Sequence, residues 1–510
     1  MQEPLTRAHG GDIDGALLRK SSLDKDLSKI ERVERATLTV SRQLIAPGLA
    51  LLFLAFAGLV AGLQISAEHG AVVIVVASVI AGYMALNVGA NDVANNVSAA
   101  VGARALTLTG ALLIAAVFES MGALVAGGDV VETISKGIID PRSLPDGRAF
   151  VWAMMAALLS SALWVNLATY IGAPVSTTHA VVGGVMGAGI TAAGLGAVNW
   201  PTIGAIAASW VVSPLLGGII AALFLAFIKI NIIYQDDKIA AARRWVPLLI
   251  AIMTSAFVVY LITKGLNKVW KPTGDTIAVL ALAIFAVSLA ALRPWIARQS
   301  EGLENRNQSL RALFRVPLIL SAAPLSFAHG ANDVANAVGP LAAILHSVQS
   351  GAVAGKVGVP FWVMLIGASG ISLGLYLYGP KLILMVGEQI TKMNPMRAFC
   401  VALSAAVTVI VASGLGLPVS STHIAVGAVF GVGFFREFYT AHSKRRRRYV
   451  KAHVRVHRKV MNLEAERQEA QRRRLVRRSH FLVIVAAWVI TVPCAAGLAA
   501  AIYLALDAAM

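Results

Sequence analysis

Charged side chains are scarce in this sequence. Asp, Glu, Lys and Arg make up 14% of its 510 residues, hydrophobic residues make up 57%, and the mean hydropathy is +0.73. A chain of this composition is far outside the range of soluble globular proteins. Apolar runs of about 20 residues, long enough to cross a hydrocarbon core, recur along nearly its whole length. The scarcity of charge therefore excludes a soluble protein and predicts an all-α, polytopic membrane protein.

Cysteine is almost absent. The two that occur, Cys400 and Cys494, both fall within apolar runs. Two cysteines placed in this way indicate neither a disulfide framework nor a thiolate metal site.

Acidic residues are outnumbered, since 26 Asp and Glu face 44 Lys and Arg, a formal net charge of +18. Most of the excess lies in one segment, 436–478, which contains the run KRRRR at 444–448. Basic loops next to membrane helices remain in the cytoplasm and contact anionic lipid headgroups. We therefore interpret the excess as a cytoplasmic loop and not as nucleic-acid binding. The basic segments 229–244 and 293–315 and the N-terminus are predicted to lie on the same side.

Thirteen apolar segments are long enough to be membrane spans. Gly and Pro inside several of them are tolerated where neighbouring helices or a wet cavity satisfy the freed backbone groups. We expect a multi-pass integral membrane protein with about 12–13 transmembrane segments, placed in the inner (cell) membrane of a bacterial-type cell. The predicted spans are residues 44–63, 71–90, 106–126, 149–172, 174–193, 202–228, 246–263, 276–292, 316–345, 359–378, 398–416, 418–435 and 480–505.

Four landmarks occur twice in the same order, which indicates an internal repeat. The clearest are GANDVAN, beginning at Gly89 and Gly330, and PVSTTH or PVSSTH, beginning at Pro174 and Pro418. Under the predicted topology, the chain enters the first GANDVAN segment from outside and the second from inside, so the halves are inverted-topology repeats. In such folds, broken helices place a binding site where the repeats meet. The weaker pairs are VETISKGI at 131–138 with GEQITKMN at 387–394, and SWVVSPLLGGIIAALF at 209–224 with AWVITVPCAAGLAAAIYL at 487–504.

The repeat also predicts how the chain is divided. Two helices link the halves, and one helix stands before them. The predicted segments are a cytoplasmic N-terminal tail at 1–43, an extra transmembrane helix at 44–63, the first inverted repeat at 71–228, linker helices and a cytoplasmic loop at 229–315, the second inverted repeat at 316–435, the basic cytoplasmic loop at 436–479, and the final helix of the second repeat at 480–510.

The PVSTTH motif places hydroxyl groups beside a helix start. Proline cannot donate a backbone hydrogen bond and suits the first turn of a helix, so we expect the chain to break before Pro174 and Pro418. Free N–H groups and hydroxyls at the positive end of a helix bind oxyanions. The alternative is that the hydroxyls only cap their own helix, but two copies in inverted halves favour the anion site. Its candidate residues are Ser176, Thr177, Thr178, Ser420, Ser421 and Thr422.

The GANDVAN motif places Asp92 and Asp333 at membrane depth, where ionisable groups are rare and usually face a cavity or a partner. Gly89 and Gly330 are expected to allow a helix break that frees carbonyl oxygens. Carboxylate, amide and carbonyl oxygens suit a hard cation such as Na+, with Mg2+ or Ca2+ as alternatives. A purely structural role in holding helices together is the competing interpretation. The candidate cation ligands are Asn91, Asp92, Asn95, Asn332, Asp333, Asn336 and Glu119, with a sodium site predicted at Asp92, Asn91, Asp333 and Asn332.

Three further polar positions stand in apolar surroundings. Glu119 has no basic residue within its own span, so we interpret it as a cation ligand or proton acceptor, the alternative being a pair with a buried Lys or Arg. His179 and His423 end the hydroxyl motifs, where each either bonds an anion or orients the loop. His329 precedes the second GANDVAN motif, where the first repeat has Val88, and no role is assigned to it. A cation site beside an anion site is what coupled symport requires.

With both motifs duplicated, the sequence resembles the PiT family of inorganic phosphate transporters, from about residue 71 to 506. The stretches VGANDVANNVSAAVGARALT, FESMGAL and VVETISKGIID look more like its sodium-coupled members. The resemblance implies a secondary active symporter, not an enzyme, that imports phosphate with sodium ions by alternating access. It implies no cofactor apart from these coupling ions. It also implies that the six hydroxyl residues hold phosphate and that Asn91, Asp92, Asn332 and Asp333 form the cation-linked core.

Three features depart from the family pattern. Animal members have a glutamate where Ala402 stands, so their sodium stoichiometry does not transfer to this chain. The helix at 44–63 precedes what is normally the first helix. The basic segment 436–478 is longer than the pattern predicts, and its purpose is open.

Other functions fit the sequence less well. The nearest is a proton-coupled carrier of phosphate or of a neutral metal phosphate complex, because one Asp serves a cation or a proton. A membrane-embedded phosphatase needs a nucleophile with a base at one site, whereas the duplication supplies two equal sites. A passive anion channel leaves the duplicated carboxylates unexplained. The sequence leaves open the choice between Na+ and H+ and whether two copies form a homodimer.

Overall fold

A computed structural model of the chain describes residues 44–65, 70–173, 175–265, 270–350, 358–389, 393–453 and 478–509. By compactness the chain divides into residues 1–52, of which 44–52 are described and are helical, and residues 53–510, which hold everything considered below. Within the described residues the secondary structure is helical apart from one isolated β-bridge between Ile139 and Val198.

The helices follow one another in the order expected from the apolar segments. They are α1 (Leu44–Gln64), α2 (Ala71–Asn91), α3 (Ala94–Gly102), α4 (Leu108–Ala126), α5 (Gly128–Glu132), α6 (Gly147–Ile171), α7 (Thr177–Ala193), α8 (Trp200–Ile228), α9 (Lys238–Tyr260), α10 (Gly274–Gln299), α11 (Asn307–Leu313), α12 (Arg315–Ser350), α13 (Phe361–Gln389), α14 (Pro395–Gly414), α15 (Ser421–His442), α16 (Lys444–His453) and α17 (Arg478–Ala508). Short π-helices, Thr133–Gly137, Lys229–Ile233 and Leu261–Gly265, continue α5, α8 and α9.

The all-α, multi-pass prediction is confirmed. In the described part of the chain, eleven helices are long and apolar enough to cross a membrane, or twelve if α11 and α12, bent by 41°, count as one span. Each predicted span coincides with a helix, but α7 has only 17 residues, about 26 Å at the α-helical rise. Outward-facing side chains are apolar, as on α10, where Val279, Leu282 and Val287 are exposed. Such a surface suits contact with hydrocarbon.

The expected helix breaks at Gly89 and Gly330 are wrong. α2 continues through Gly89 and ends at Asn91, so the chain turns at Asp92 and Val93 before α3 begins. α12 runs without interruption through Gly330. The carbonyl oxygens of this segment therefore remain largely within helical hydrogen bonds.

Close backbone contact explains these glycines instead. A Cβ atom on Gly89 would lie 1.9 Å from the Ile371 carbonyl oxygen of α13, and one on Gly330 would lie 2.1 Å from the Glu119 carbonyl oxygen of α4. α2 thus packs on α13 as α12 packs on α4, and small residues at such seams let helix backbones approach closely. Between the pairs, the Ser120 hydroxyl of α4 lies 2.8 Å from the Ser372 hydroxyl of α13. Equivalent residues of the two repeats meet there, as inverted repeats related by a two-fold axis require.

Two helical hairpins complete the repeats. In the first, α6 and α7 run side by side, and the Ser161 hydroxyl donates to the Ala180 carbonyl oxygen at 3.0 Å. In the second, α14 and α15 pack in the same way. α7 leans on α17 at Gly187, and α15 leans on α8 at Gly431, where an added Cβ would lie 2.3 Å and 2.0 Å from facing carbonyl oxygens. The tips of the hairpins are the two Ser/Thr motifs, so the repeats bring both motifs together.

The glycine seams give a stability prediction. In Gly374→Ala the new methyl group would lie 2.0 Å from the Leu86 carbonyl oxygen, and backbone cannot move aside as a side chain can. We expect destabilisation at or above the upper part of the usual overpacking range of about 1–3 kcal/mol, seen as a lower midpoint of thermal unfolding in detergent. The matched control is Gly497→Ala in α17, where nothing lies within 4 Å of the added atom. Equal midpoints for the two variants would contradict the packing described here.

Candidate functional site

Two carboxylates from the two repeats lie together in the interior. Asp92 stands at the turn between α2 and α3, and Asp333 stands within α12; they are 2% and 1% exposed. One oxygen of each and one ring nitrogen of His329 all lie within 4.8 Å of one another. Two carboxylates so close and so buried repel each other unless cations, protons or hydrogen-bond donors compensate.

Hydroxyl groups from both hairpin tips supply such donors. Thr177 Oγ1 donates to Asp92 Oδ2 at 2.5 Å, and Thr422 Oγ1 donates to Asp92 Oδ1 at 3.0 Å. Ser421 Oγ donates to Asp333 Oδ2 at 3.0 Å. Asp92 therefore accepts one hydrogen bond from each repeat's hairpin.

The first serine of each motif has a different part. The side chain of Ser176 accepts from the His179 N–H at 3.2 Å, and that of Ser420 accepts from the His423 N–H at 3.3 Å. These two serines are the N-caps of α7 and α15. The alternative that the hydroxyls only cap their own helix is thus correct for Ser176 and Ser420, the first hydroxyl residue of each motif. Because the helices begin after these serines, the expectation that Pro418 occupies the first helical turn is wrong, and Pro174 lies outside the described residues.

Thr178 and Asn336 tie the two halves together directly. Thr178 Oγ1 donates to the Val419 carbonyl oxygen in the opposite hairpin tip at 3.1 Å. Asn336 Nδ2 of α12 donates to the hydroxyls of Thr177 and Thr178 at 3.0 and 3.1 Å. The N-termini of α7 and α15, each carrying the partial positive charge of a helix start, therefore face one compact buried site.

The two asparagines before the aspartates hold each GANDVAN helix to its own repeat's hairpin. Their amide nitrogens donate to a hydroxyl at the end of the first hairpin helix and to a carbonyl oxygen in the tip. Asn91 Nδ2 donates to Thr169 Oγ1 at 2.9 Å and to the Ala173 oxygen at 3.4 Å, and Asn332 Nδ2 donates to Ser413 Oγ at 3.0 Å and to the Leu417 oxygen at 3.1 Å. This matching geometry is the repeat expressed at the level of side chains.

Among the residues that the structure describes, three buried oxygens of the site accept no hydrogen bond: Asn91 Oδ1, Asp333 Oδ1 and Asn336 Oδ1. A buried polar atom without a partner costs about 1–3 kcal/mol. All three belong to predicted cation ligands, and amide and carboxylate oxygens are the ligands that hard cations prefer. The donor set therefore fits Na+. The side chain of Asn95, another predicted ligand, lies outside the described part of the structure.

Glu119 is engaged by both of its carboxylate oxygens. Oε1 accepts from Asn96 Nδ2 at 2.7 Å, and Oε2 lies 2.7 Å from His329 Nδ1. The other ring nitrogen, Nε2, lies 2.6 Å from Asp333 Oδ2. The partner of Glu119 is thus a histidine of another helix and not the buried Lys or Arg considered as the alternative. The imidazole links Glu119 to the site at Asp333.

Sequence reasoning assigned no role to His329, which is fully buried at the centre of this network. One signal was available, because His329 and Asp333 are four residues apart and share a helix face. The first repeat has Val88 at the equivalent position, so the histidine breaks the symmetry of the site. His329 brings a positive charge, when protonated, to the second repeat alone.

The histidines that end the motifs lie behind the hydroxyls. The rings of His179 and His423 pack edge to face with centroids 4.4 Å apart, and His179 packs on Trp210 at 3.7 Å. Neither ring nitrogen of His179 has a hydrogen-bond partner among the described residues. In this arrangement they support the two tips against each other.

A cavity of about 490 Å³ reaches the tip of the second hairpin from the side predicted to be outside. Asp129 and Glu132 lie in its lining together with Gly416, whose carbonyl oxygen accepts from Thr133 Oγ1 at 2.7 Å. Lys264 Nζ lies 2.5 Å from Asp129 Oδ2 at its border.

Comparisons with known proteins agree with this arrangement. The family model described as the phosphate transporter family matches residues 88–499. A relative from Helicobacter pylori named "Putative phosphate permease" is 45% identical, over 94% of this chain and 98% of its own. One of the same name from Pyrococcus horikoshii is 38% identical, over 69% and 86%.

The fold also matches a solved structure. That structure, described as the sodium-dependent phosphate transporter, superimposes with a TM-score of 0.73 and 34% sequence identity, covering 86% of this chain and all of the other. The buried carboxylates, the paired hairpin tips and the shared sequence lead to one conclusion: the chain belongs to the phosphate transporter family, whose PiT-type motifs it carries twice.

Proposed function

We propose that this protein imports inorganic phosphate together with sodium ions by alternating access. The observation that carries the proposal is the meeting of two buried carboxylates with hydroxyls from two helix N-termini. The carboxylates attract cations, and the hydroxyls and helix N-termini attract an oxyanion. Similarity to a sodium-dependent phosphate transporter supports the choice of both ions.

Na+ is favoured as the coupling ion by the buried oxygens that accept no hydrogen bond among the described residues. Asn91, Asp333 and Asn336 each present a buried oxygen that accepts no hydrogen bond from the described part of the chain, and Asp92 adds a second carboxylate. Na+ bound there would satisfy these oxygens and reduce the repulsion between Asp92 and Asp333. In the proposal these residues and Asn332 hold the coupling ions, with Glu119 acting on them through His329.

Phosphate is assigned to the hydroxyls and N-termini of the hairpin tips. Each hydroxyl has one proton to donate, and those of Thr177, Ser421 and Thr422 now go to carboxylates. Phosphate beside two bare carboxylates would be strongly repelled. A cation that binds the carboxylates removes this repulsion and frees the hydroxyl protons for phosphate. Competition for the same protons thus couples the two ions physically.

Alternating access follows from the repeat. The site residues are buried, with Thr177 and Asp333 at 0% and 1% exposure, so neither ion can enter without movement. The hairpins α6–α7 and α14–α15 close the site from the two repeats, and their tips touch through Thr178 and Val419. Separating one hairpin from the site while the other stays closed opens it to one side at a time.

The first test is the coupling ion. We expect proteoliposomes to accumulate labelled phosphate under an inward Na+ gradient at fixed membrane potential and not under an inward proton gradient alone, because amide oxygens bind Na+ but do not carry protons. Accumulation driven only by protons would replace the sodium proposal with its proton-coupled alternative. Absence of accumulation under either gradient would refute symport altogether.

A second prediction concerns the carboxylates. Asp92→Asn and Asp333→Asn preserve shape but remove a charge that the cation requires, so uptake should fall by more than about 100-fold, in line with about 3–5 kcal/mol for breaking a buried charged pair. Asp275→Asn, at an exposed helix start, is the control and should transport normally. Normal uptake by either site variant, with an unchanged elution profile, would disprove the assignment.

A third prediction separates hydroxyl chemistry from packing. Thr177→Val keeps the side-chain shape but removes the hydroxyl, so we expect the KM for phosphate to rise about 10- to 100-fold, as for the loss of a hydrogen bond to a charged group of about 1.5–3 kcal/mol. Thr177→Ser retains the hydroxyl and should stay within a few-fold of the wild-type protein. If the two variants had the same KM, Thr177 would not contact phosphate through its hydroxyl.

A further inference from the structure

Lys229 places its amino group among aromatic rings at the end of α8. The residue is 7% exposed, and Nζ lies 4.6 Å from the ring centre of Tyr439 and 5.4 Å from that of Phe435, both on α15. Among the described residues, these ring faces are the only partners of the ammonium group. A cation over a ring gains about 0.5–2 kcal/mol, which falls short of the several kcal/mol that burying an ion costs.

The charges around Lys229 have the same sign. Arg397 at the start of α14, Arg436 on α15 and Arg446 on α16 all act on it electrostatically. Arg397 is in turn acted on by Arg436 and by Arg311 of α11. We call Lys229, Arg397, Arg436 and Arg446 the basic cluster. Its members come from four helices and lie on the side predicted to be cytoplasmic.

Arg397 and Arg446 each keep donor groups beyond their hydrogen bonds to neighbouring residues. Arg397 Nε donates to Asn394 Oδ1 at 3.2 Å, and Arg446 Nη1 donates to the Thr440 carbonyl oxygen at 3.0 Å. A guanidinium has five N–H groups, so both arginines keep donors beyond these bonds.

The surroundings of the basic cluster are ordered. Tyr234 stacks on Tyr439 with ring centres 5.8 Å apart, and Tyr449 of α16 lies against Tyr234 at 5.6 Å. Lys238 Nζ donates to the Tyr449 hydroxyl at 2.5 Å. These contacts hold the arginine-rich helix α16 beside the start of α9 and the turn at Tyr234, which in turn packs on α15. The N-terminus of α14, capped by Asn394, adds the partial positive charge of a helix start.

We propose that the basic cluster binds a phosphate group at the cytoplasmic end of the protein, at a site distinct from the transport site. A monovalent anion compensates one charge, whereas a phosphate group carries up to two and accepts several charge-assisted hydrogen bonds. Arginine forks bind phosphate oxygens in pairs, and a lysine adds a point charge. The phosphate group belongs either to free inorganic phosphate or to the headgroup of an anionic lipid. The proposal does not depend on how transport is coupled.

General attraction to an anionic membrane would use other residues. Arg445 and Arg448 of the same run are exposed and reach the surface without cost. Lys229 is buried, so it contributes little to a long-range surface attraction but much to a bound ligand. The two sets therefore provide variants of equal charge change with different expected effects.

The experiment compares Lys229→Gln/Arg446→Gln with Arg445→Gln/Arg448→Gln in the full-length purified protein. Both pairs remove two charges, and each is made in a Thr177→Val/Thr422→Val background that weakens the proposed transport site. One arm measures equilibrium binding of labelled inorganic phosphate in detergent. The other counts phosphatidate adducts by native mass spectrometry, with phosphatidylcholine as the neutral reference. Thermal unfolding reports whether each variant is folded, and Arg446→Gln alone serves if Lys229→Gln is not.

We expect the cluster pair to weaken one of the two probes about tenfold or more, as for the loss of charge-assisted hydrogen bonds, and the exposed pair to change it less than about twofold. A loss confined to inorganic phosphate identifies a free anion, and a loss confined to phosphatidate identifies a lipid headgroup. Equal effects of the two pairs, or no binding of either probe before substitution, would overturn the proposal.

Carboxylates of the segment 454–477 provide a last control. Glu464, Glu466 and Glu469 lie outside the described residues and carry the charge needed to neutralise a basic cluster. Their replacement by Gln should leave phosphate or phosphatidate binding unchanged. Binding that emerges only after this replacement would assign the cluster to the chain's own glutamates and refute an external ligand.

Discussion

The carboxylate of Asp92 is the interaction on which the rest of the structure depends. It accepts one hydrogen bond from Thr177 and one from Thr422, which lie on hairpins of different repeats. A charge at this depth is tolerated only where donors or cations meet it. The glycine seams exist because four helices must approach closely enough to bring these tips to one carboxylate. Without this charge, there would be no physical reason for the hairpins to converge or for their hydroxyls to be buried.

The chemistry of the site depends on the hydroxyl protons, for which carboxylates and a bound oxyanion compete. Hydroxyl groups can serve a carboxylate or an oxyanion, but each proton serves only one at a time. The asparagines differ, because their nitrogens donate to the hairpins while the oxygens of Asn91 and Asn336 have no donor within the described ranges of the chain. The asparagine oxygens are thus always available to a cation. The hydroxyl protons are available to an anion only when the carboxylates do not accept them. That ordering is what a coupled carrier requires.

Much of the fold could be predicted from the sequence because hydropathy and duplication are signals that lie along the chain. The position of the helix break could not be predicted. Glycine allows a bend, but Gly89 is needed for close contact with Ile371, and the helix ends at Asp92 instead. His329 was missed because its partner Glu119 lies on another helix and a buried pair leaves no local pattern. The basic cluster was read only as net charge, because its four helices come together in space alone.

The seam between α4 and α12 makes the two repeats unequal, which bears on the proposed alternating access. Inverted repeats exchange their conformations as the protein turns from one face of the membrane to the other, and identical halves would make both states equal in free energy. Here the halves are unequal. Glu119 of α4 contacts His329 of α12 across one seam, whereas in the other seam Ile371 of α13 faces α2 beside Val88, which cannot form such a contact. The first seam contains the Glu119–His329 contact, whereas the second is formed by close packing at Gly89. Under the proposed alternating access, the two conformations would therefore differ in free energy.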